Sequence, residues 1–157
     1  MAEGCGSRPP LSIPLSDRYS RRTALPLSAT ILALLLGGVA PAQHDTFAFG
    51  RTGGNIRPYT VAISARGVVT ATGPVRLAHP GRRVAAATLR QLEQIVKTTR
   101  FFSFPTLTLC PGSLPDFASS FVAVKSGTRH RRVVVRGTCS PRFASLYQAL
   151  TAAAGVR

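Results

Sequence analysis

The chain has 157 residues, with 20 lysines and arginines against 5 acidic residues and a formal net charge of +15. Carboxylates this scarce leave little material for acid–base hydrolysis or for a carboxylate-rich metal site. The positive balance instead favours solubility and contact with polyanions such as nucleic acid, anionic lipid or acidic cell-wall polymer.

Residues 1–22 are rich in Ser, Pro, Gly and Arg, show no hydrophobic period, and read as a long disordered leader, or in part as translation from an early start codon. Arg21 and Arg22 then precede an almost wholly apolar run, residues 24–39, which ends in Ala40-Pro41-Ala42. A positive segment, an apolar segment and small residues at −3 and −1 make up a secretory signal. Pro26 and Gly37-Gly38 interrupt the run, and a membrane-spanning helix needs roughly 20 apolar residues. Cleavage after Ala42 is therefore expected, with an uncleaved single-pass anchor as the rival. Ser20-Arg21-Arg22 resembles a twin-arginine signal, but Ala24 and Leu25 fill that pattern poorly, so the export route stays open. No cysteine closes the run, which argues against a lipoprotein anchor. Residues 1–42 thus read as a signal peptide with a long n-region, and residues 43–157 as one exported domain, secreted or held in the cell envelope.

In that domain two lysines and fourteen arginines face Asp45, Glu93 and Asp116, leaving +13. Residues 46–49 alternate, with Phe47 and Phe49 on the core side of a first strand. Arg51-Thr52-Gly53-Gly54-Asn55 reads as the turn that ends it. Tyr59, Val61 and Ile63 alternate with polar or small neighbours in a second strand. Ala65-Arg66-Gly67 turns it back, and residues 68–72 form a third. Residues 73–83, broken by Pro74, Pro80 and Gly81, read as loop.

The spacing of Ala85, Leu89, Leu92 and Val96 predicts a helix over residues 84–99, with Arg90, Glu93, Gln94 and Lys97 toward water. Phe101, Phe102 and Phe104 plug the core where that helix leaves it, and Pro105 stops further winding. Residues 106–116 read as loop, and residues 117–125 as a strand. Ser126-Gly127-Thr128 then turns into a final strand over residues 129–136. On that strand Arg131, Val133 and Val135 should pack, while His130, Arg132 and Arg136 lie on the other side. Ser140 caps a last helix, Pro141 fits its first position, and Gly155 ends it. Its buried stripe is Phe143, Leu146, Tyr147 and Leu150. The order predicts an α+β fold: an antiparallel β-meander of about five strands with two helices packed on one face.

Cys5 leaves with the leader, so Cys110 and Cys139 remain, and an even pair in an oxidising compartment reads as a disulfide. His44, His79 and His130 lack the spacing of metal ligands, and no cofactor motif is present; neither a metal nor a cofactor is expected. Ser119, His130 and Asp116 could be drawn as a catalytic set, but no nucleophile elbow or oxyanion loop accompanies them, so no catalytic residue is assigned. No specific nucleic-acid signature appears either.

The segment from Phe49 to Gly54, Phe-Gly-Arg-Thr-Gly-Gly, resembles the Arg-Ser-Gly-Gly opening of emfourin-type inhibitors, small proteins that inhibit thermolysin-like zinc metallopeptidases. The helix carrying Leu89, Leu92, Glu93 and Val96, then Phe101-Phe102 and Pro105, is similar to that family's central helix and its exit. The hairpin with Phe121, Val122, Val124, Gly127, Arg132, Val133 and Val135, and a last Leu-rich helix, follow in the same order. The resemblance spans residues 45–153. It differs in the signal, in the cysteine pair, in a strong positive charge, and in Asn55 where the family has a hydrophobic residue.

What the resemblance implies is a binding module whose partner is a protein, a metallopeptidase, contacted by Arg51, Thr52, Gly53, Gly54 and Asn55. A stapled loop from Cys110 to Asp116 would share that surface. The alternative is a basic cell-envelope protein that holds an anionic polymer through Arg129, Arg131, Arg132 and Arg136. In either case membrane contact would come only through an uncleaved signal segment.

Overall fold

A computed structural model describes residues 44–157 of the chain; the expected signal segment and its cleavage site lie outside them. Six strands form one sheet: β1 (Thr46–Thr52), β2 (Tyr59–Ile63), β3 (Val69–Thr72), β4 (Leu107–Leu109), β5 (Ser119–Ser126) and β6 (Arg129–Arg136). Two helices, α1 (Ala86–Thr98) and α2 (Pro141–Ala154), complete the α+β fold. The spatial order is β3-β2-β1-β5-β6-β4. All pairs are antiparallel except β4, which runs parallel to β6. The sheet is therefore mixed, not the antiparallel five-strand meander the sequence suggested.

The missing strand is β4. Its three residues are too short for a periodic signal, and Pro105 and Pro111 bracket it closely. Both of its leucines stay exposed, so burial did not mark it. Neighbouring backbone bonds hold it: the Val134 amide donates to the Thr106 carbonyl at 2.8 Å, and the Cys110 amide to the Arg136 carbonyl at 2.9 Å.

Register explains the core. Phe49 lies opposite Val61 on one side and Val122 on the other, with Val133 next in the row. Ile63, Phe47 and Val124 form the adjacent row. All seven are essentially sealed from solvent. Because strand side chains alternate, these rows share one face of the sheet. The buried stripes of both helices join the same cluster: Leu89, Leu92 and Val96 from α1, and Phe143, Leu146, Leu150 and Ala154 from α2. Phe101 and Phe104 close it below the end of α1. The helices thus lie on one face.

Helix α1 starts two residues later than its apolar period suggested. The Val84 amide donates to the Gly67 carbonyl at 2.8 Å, which keeps Val84 extended, and Ala85 is the extended cap residue. Ala85 is accordingly exposed, outside the buried stripe. Glu93 was expected to face water alone. Instead it accepts from the His44 ring at 2.9 Å and from the Asp45 amide at 3.1 Å, tying the start of the described chain to α1. Pro141 opens α2, and Gly155 closes it in the left-handed region at φ 66°.

Phe121 is the exception to the one-sided core. It points away from the helices, yet is only 3 % exposed. The Arg132 guanidinium covers its ring at 4.0 Å from the centroid. Space for the ring comes from Gly50: a Cβ there would lie 3.1 Å from the Phe121 ring and would collide with the Tyr59 carbonyl. Gly50→Ala should therefore destabilise the fold by about 3 kcal/mol, the upper end for overpacking, because backbone rather than a flexible side chain stands in the way. Urea unfolding of the variant beside the parent chain measures this.

Candidate functional site

Strand directions gather the chain's connections at one end of the sheet. β1, β4 and β6 all finish there, and β2 and β5 begin there, as the pairing directions require. The connection from β4 to β5 must pass across the exit of β6, because β6 lies between them. Residues 110–118 make this crossing, and a disulfide joins Cys110 to Cys139 just beyond β6, with Cα atoms 5.4 Å apart. Gly137 permits the approach: a Cβ there would sit 2.6 Å from the Cys110 Cβ. The Cys139 amide points at the Cys110 sulfur at 2.9 Å. Within the loop, Ser113 donates to the Cys110 carbonyl through its hydroxyl at 2.6 Å and its amide at 3.1 Å.

The segment after β1 meets this loop. The Asn55 amide donates to the Asp116 carbonyl at 3.2 Å. Gly54, at φ 60°, lies so close to the 116–118 backbone that a Cβ would strike the Asp116 carbonyl. Between the two runs opens a cleft of about 740 Å³, lined by Arg51, Asn55, Ile56, Ser113, Asp116, Phe117 and Ser120 together with the disulfide. Gly53 stands clear, with no neighbouring atom within 4 Å of its would-be side chain. Residues 51–55 and 110–116 thus meet around one cavity.

Two of these residues are not in a turn, as their sequence suggested. Arg51 pairs with Tyr59 and Ser120, and Thr52 with Ser119, so β1 runs through both. Strands on both sides hold Arg51 extended, and β5 alone carries Thr52 up to the glycines. Ile56, Phe117, Ala118 and Thr138 line the cleft without having been singled out in the sequence. Gly137, two residues before a cysteine, was the one available hint.

Behind the cleft, Tyr59 and Tyr147 share a hydroxyl–hydroxyl hydrogen bond of 2.9 Å. Tyr147 also meets Phe49 edge-on and stacks on Phe143. Burial pushes the Tyr147 hydroxyl well above the ordinary tyrosine range, and the Tyr59 hydroxyl adds to this; the Arg51 charge and Ser120 pull weakly the other way. Nothing local marks this pair in the sequence, since its members lie 88 residues apart.

The four arginines of the polymer-binding alternative divide between two faces. Arg129 lies over the Phe102 ring at 3.9 Å, and Arg131 donates to the Phe104 carbonyl, both on the helix side. Arg132 covers Phe121, and Arg136 donates to the Ser119 hydroxyl at 3.3 Å, both on the open side. Period-two alternation separates them, so they present no single surface. Ser119 and His130 likewise stand apart: His130 pairs with Lys125, six residues along β5 from Ser119, or roughly 20 Å. Among the described residues no three His, Cys, Asp or Glu side chains gather as metal ligands would. No described helix is long and apolar enough to cross a membrane. No family model matches the chain, and no curated protein matches it.

Two measurements follow from this geometry. Replacing Cys110 and Cys139 by serine should lower stability by roughly 3–4 kcal/mol, the chain-entropy value for a closed loop of this length, read as a fall in the urea midpoint. The second concerns alkaline pH. The native state holds the Tyr147 proton more tightly than the unfolded chain, so this group's stabilisation is complete below about pH 10 and drains away as pH rises toward the higher folded value. Tyr147→Phe should accordingly lose less melting temperature than the parent between about pH 9 and about pH 11.

Proposed function

We propose that residues 43–157 form an exported protein-binding module of the emfourin-like inhibitor kind, which receives a segment of a partner peptidase at the disulfide end of the sheet. The observation that carries this reading is the meeting of residues 51–55 with residues 110–116 around one cleft.

The chemistry of the rim supports it. Every exposed large hydrophobic residue among the described ones lies between residues 107 and 117: Leu107, Leu109, Leu114 and Phe117. An apolar patch beside a cleft is a common mark of a protein-binding surface. Arg51 and Asp116 add one charge of each sign, and the open backbone at Gly53 offers amide and carbonyl groups to an extended partner chain. The disulfide fixes the loop before binding, which reduces the ordering entropy lost on association. Such a module uses no cofactor of its own. The signal segment supports secretion, with Gln43 as the first residue of the exported chain.

The test is inhibition of a thermolysin-like metallopeptidase by the secreted chain. Inhibition at micromolar protein, little changed by salt, is expected. Phe117→Ala, a change at a 51 % exposed residue outside the core, should weaken it by about thirtyfold, as for an aromatic anchor. A chain that slows no such enzyme at micromolar concentration ends the inhibitor reading.

A further inference from the structure

Arg100 is the one residue other than glycine with positive φ among the described residues, at φ 53° and ψ 46°. It follows Thr99, the C-cap of α1, and its amide donates to the Lys97 carbonyl at 3.0 Å, closing the helix end. Glycine ordinarily fills such a position because a Cβ is strained there. This chain follows that rule at the end of α2, where Gly155 has φ 66°. A side chain kept in the left-handed region directs attention to what the side chain does.

Arg100, Lys97, Phe102, Ser103 and Arg129 line an open pocket of about 380 Å³. Three cations meet there without an acid in the lining. Among the described residues the one ion pair within 4 Å joins His44 to Glu93, so no carboxylate neutralises any of the three. Lys97 reaches the pocket from the last turn of α1, and the Arg129 guanidinium carbon lies over the Phe102 ring, 3.9 Å from its centroid. Clustered guanidinium forks and an ammonium group are the donor set for phosphate oxygens.

We propose that this pocket binds the phosphate groups of a linear polyanion. Its openness suits a chain that enters and leaves, and it has room for more than one phosphate unit. It shares only Arg129 with the arginine set read from the sequence. Arg129 begins β6, whereas the cleft lies past the end of that strand, so the pocket is separate from the inhibitor reading and does not depend on it.

The test is calorimetric titration of the secreted chain with long-chain polyphosphate, with orthophosphate as the single-unit arm. Polyphosphate should bind with an affinity that falls as salt rises, and orthophosphate much more weakly. Arg100→Gly should raise the melting temperature, by relieving the backbone, and weaken polyphosphate binding by about tenfold. Arg100→Gln and Arg90→Gln remove equal charge, the latter from the exposed side of α1, so the loss should be larger at position 100. Equal losses at 90 and 100 would mean diffuse attraction to a basic surface and would overturn the proposal, as would unchanged affinity in Arg100→Gly. Orthophosphate binding as tightly as the polymer would reject the linear ligand.

Discussion

The crossing of residues 110–118 over the exit of β6 is the constraint on which the rest of the architecture turns. With β4 at the sheet edge and β5 inside it, the chain has to climb over the strand between them. A bare loop in that place would carry unsatisfied backbone and a large closure entropy. The chain answers with a disulfide to Cys139, Ser113 bonded back to the Cys110 carbonyl, and the Asp116 carbonyl occupied by the Asn55 amide. These same contacts draw the end of β1 toward the loop. The cleft is the space left between a connection forced to cross and a strand forced to stop.

Much of the fold was legible because its signals were local. Phe47 and Phe49, Val122 and Val124, and Val133 and Val135 alternate as half-buried strands should, and the structure buries all six. The stripes of α1 and α2 were visible for the same reason, as were Pro141 at the first position of α2 and Gly155 at its end; Ser140 holds the N-cap position but makes no side-chain cap bond. The cysteine pair could be read once the expected signal segment was taken to carry Cys5, and the structure joins Cys110 to Cys139.

What could not be read depends on partners distant in sequence. β4 exists because β6 offers it an edge, and nothing in Leu107-Thr108-Leu109 states that. Arg51 and Thr52 look like the start of a turn, yet β2 and β5 keep Arg51 extended and β5 alone keeps Thr52 so. The split of the arginines was half visible: alternation separates Arg131 from Arg132, but only the fold shows what each guanidinium rests on. In the cleft, the glycine pair and the stapled loop were each recognisable alone. Their hydrogen bond, from Asn55 to Asp116, was not.

The brevity of the outermost strands has a consequence for the protein at high concentration. One border of the sheet offers the four residues of β3, and the other the three of β4, with Pro105 and Pro111 close by. A stray chain seeking to extend the sheet would find only a few free backbone groups before reaching a residue that cannot donate. So short a template returns too little to offset the ordering of the incoming segment. Sheet-to-sheet aggregation is thereby discouraged without a single guarding lysine on either border.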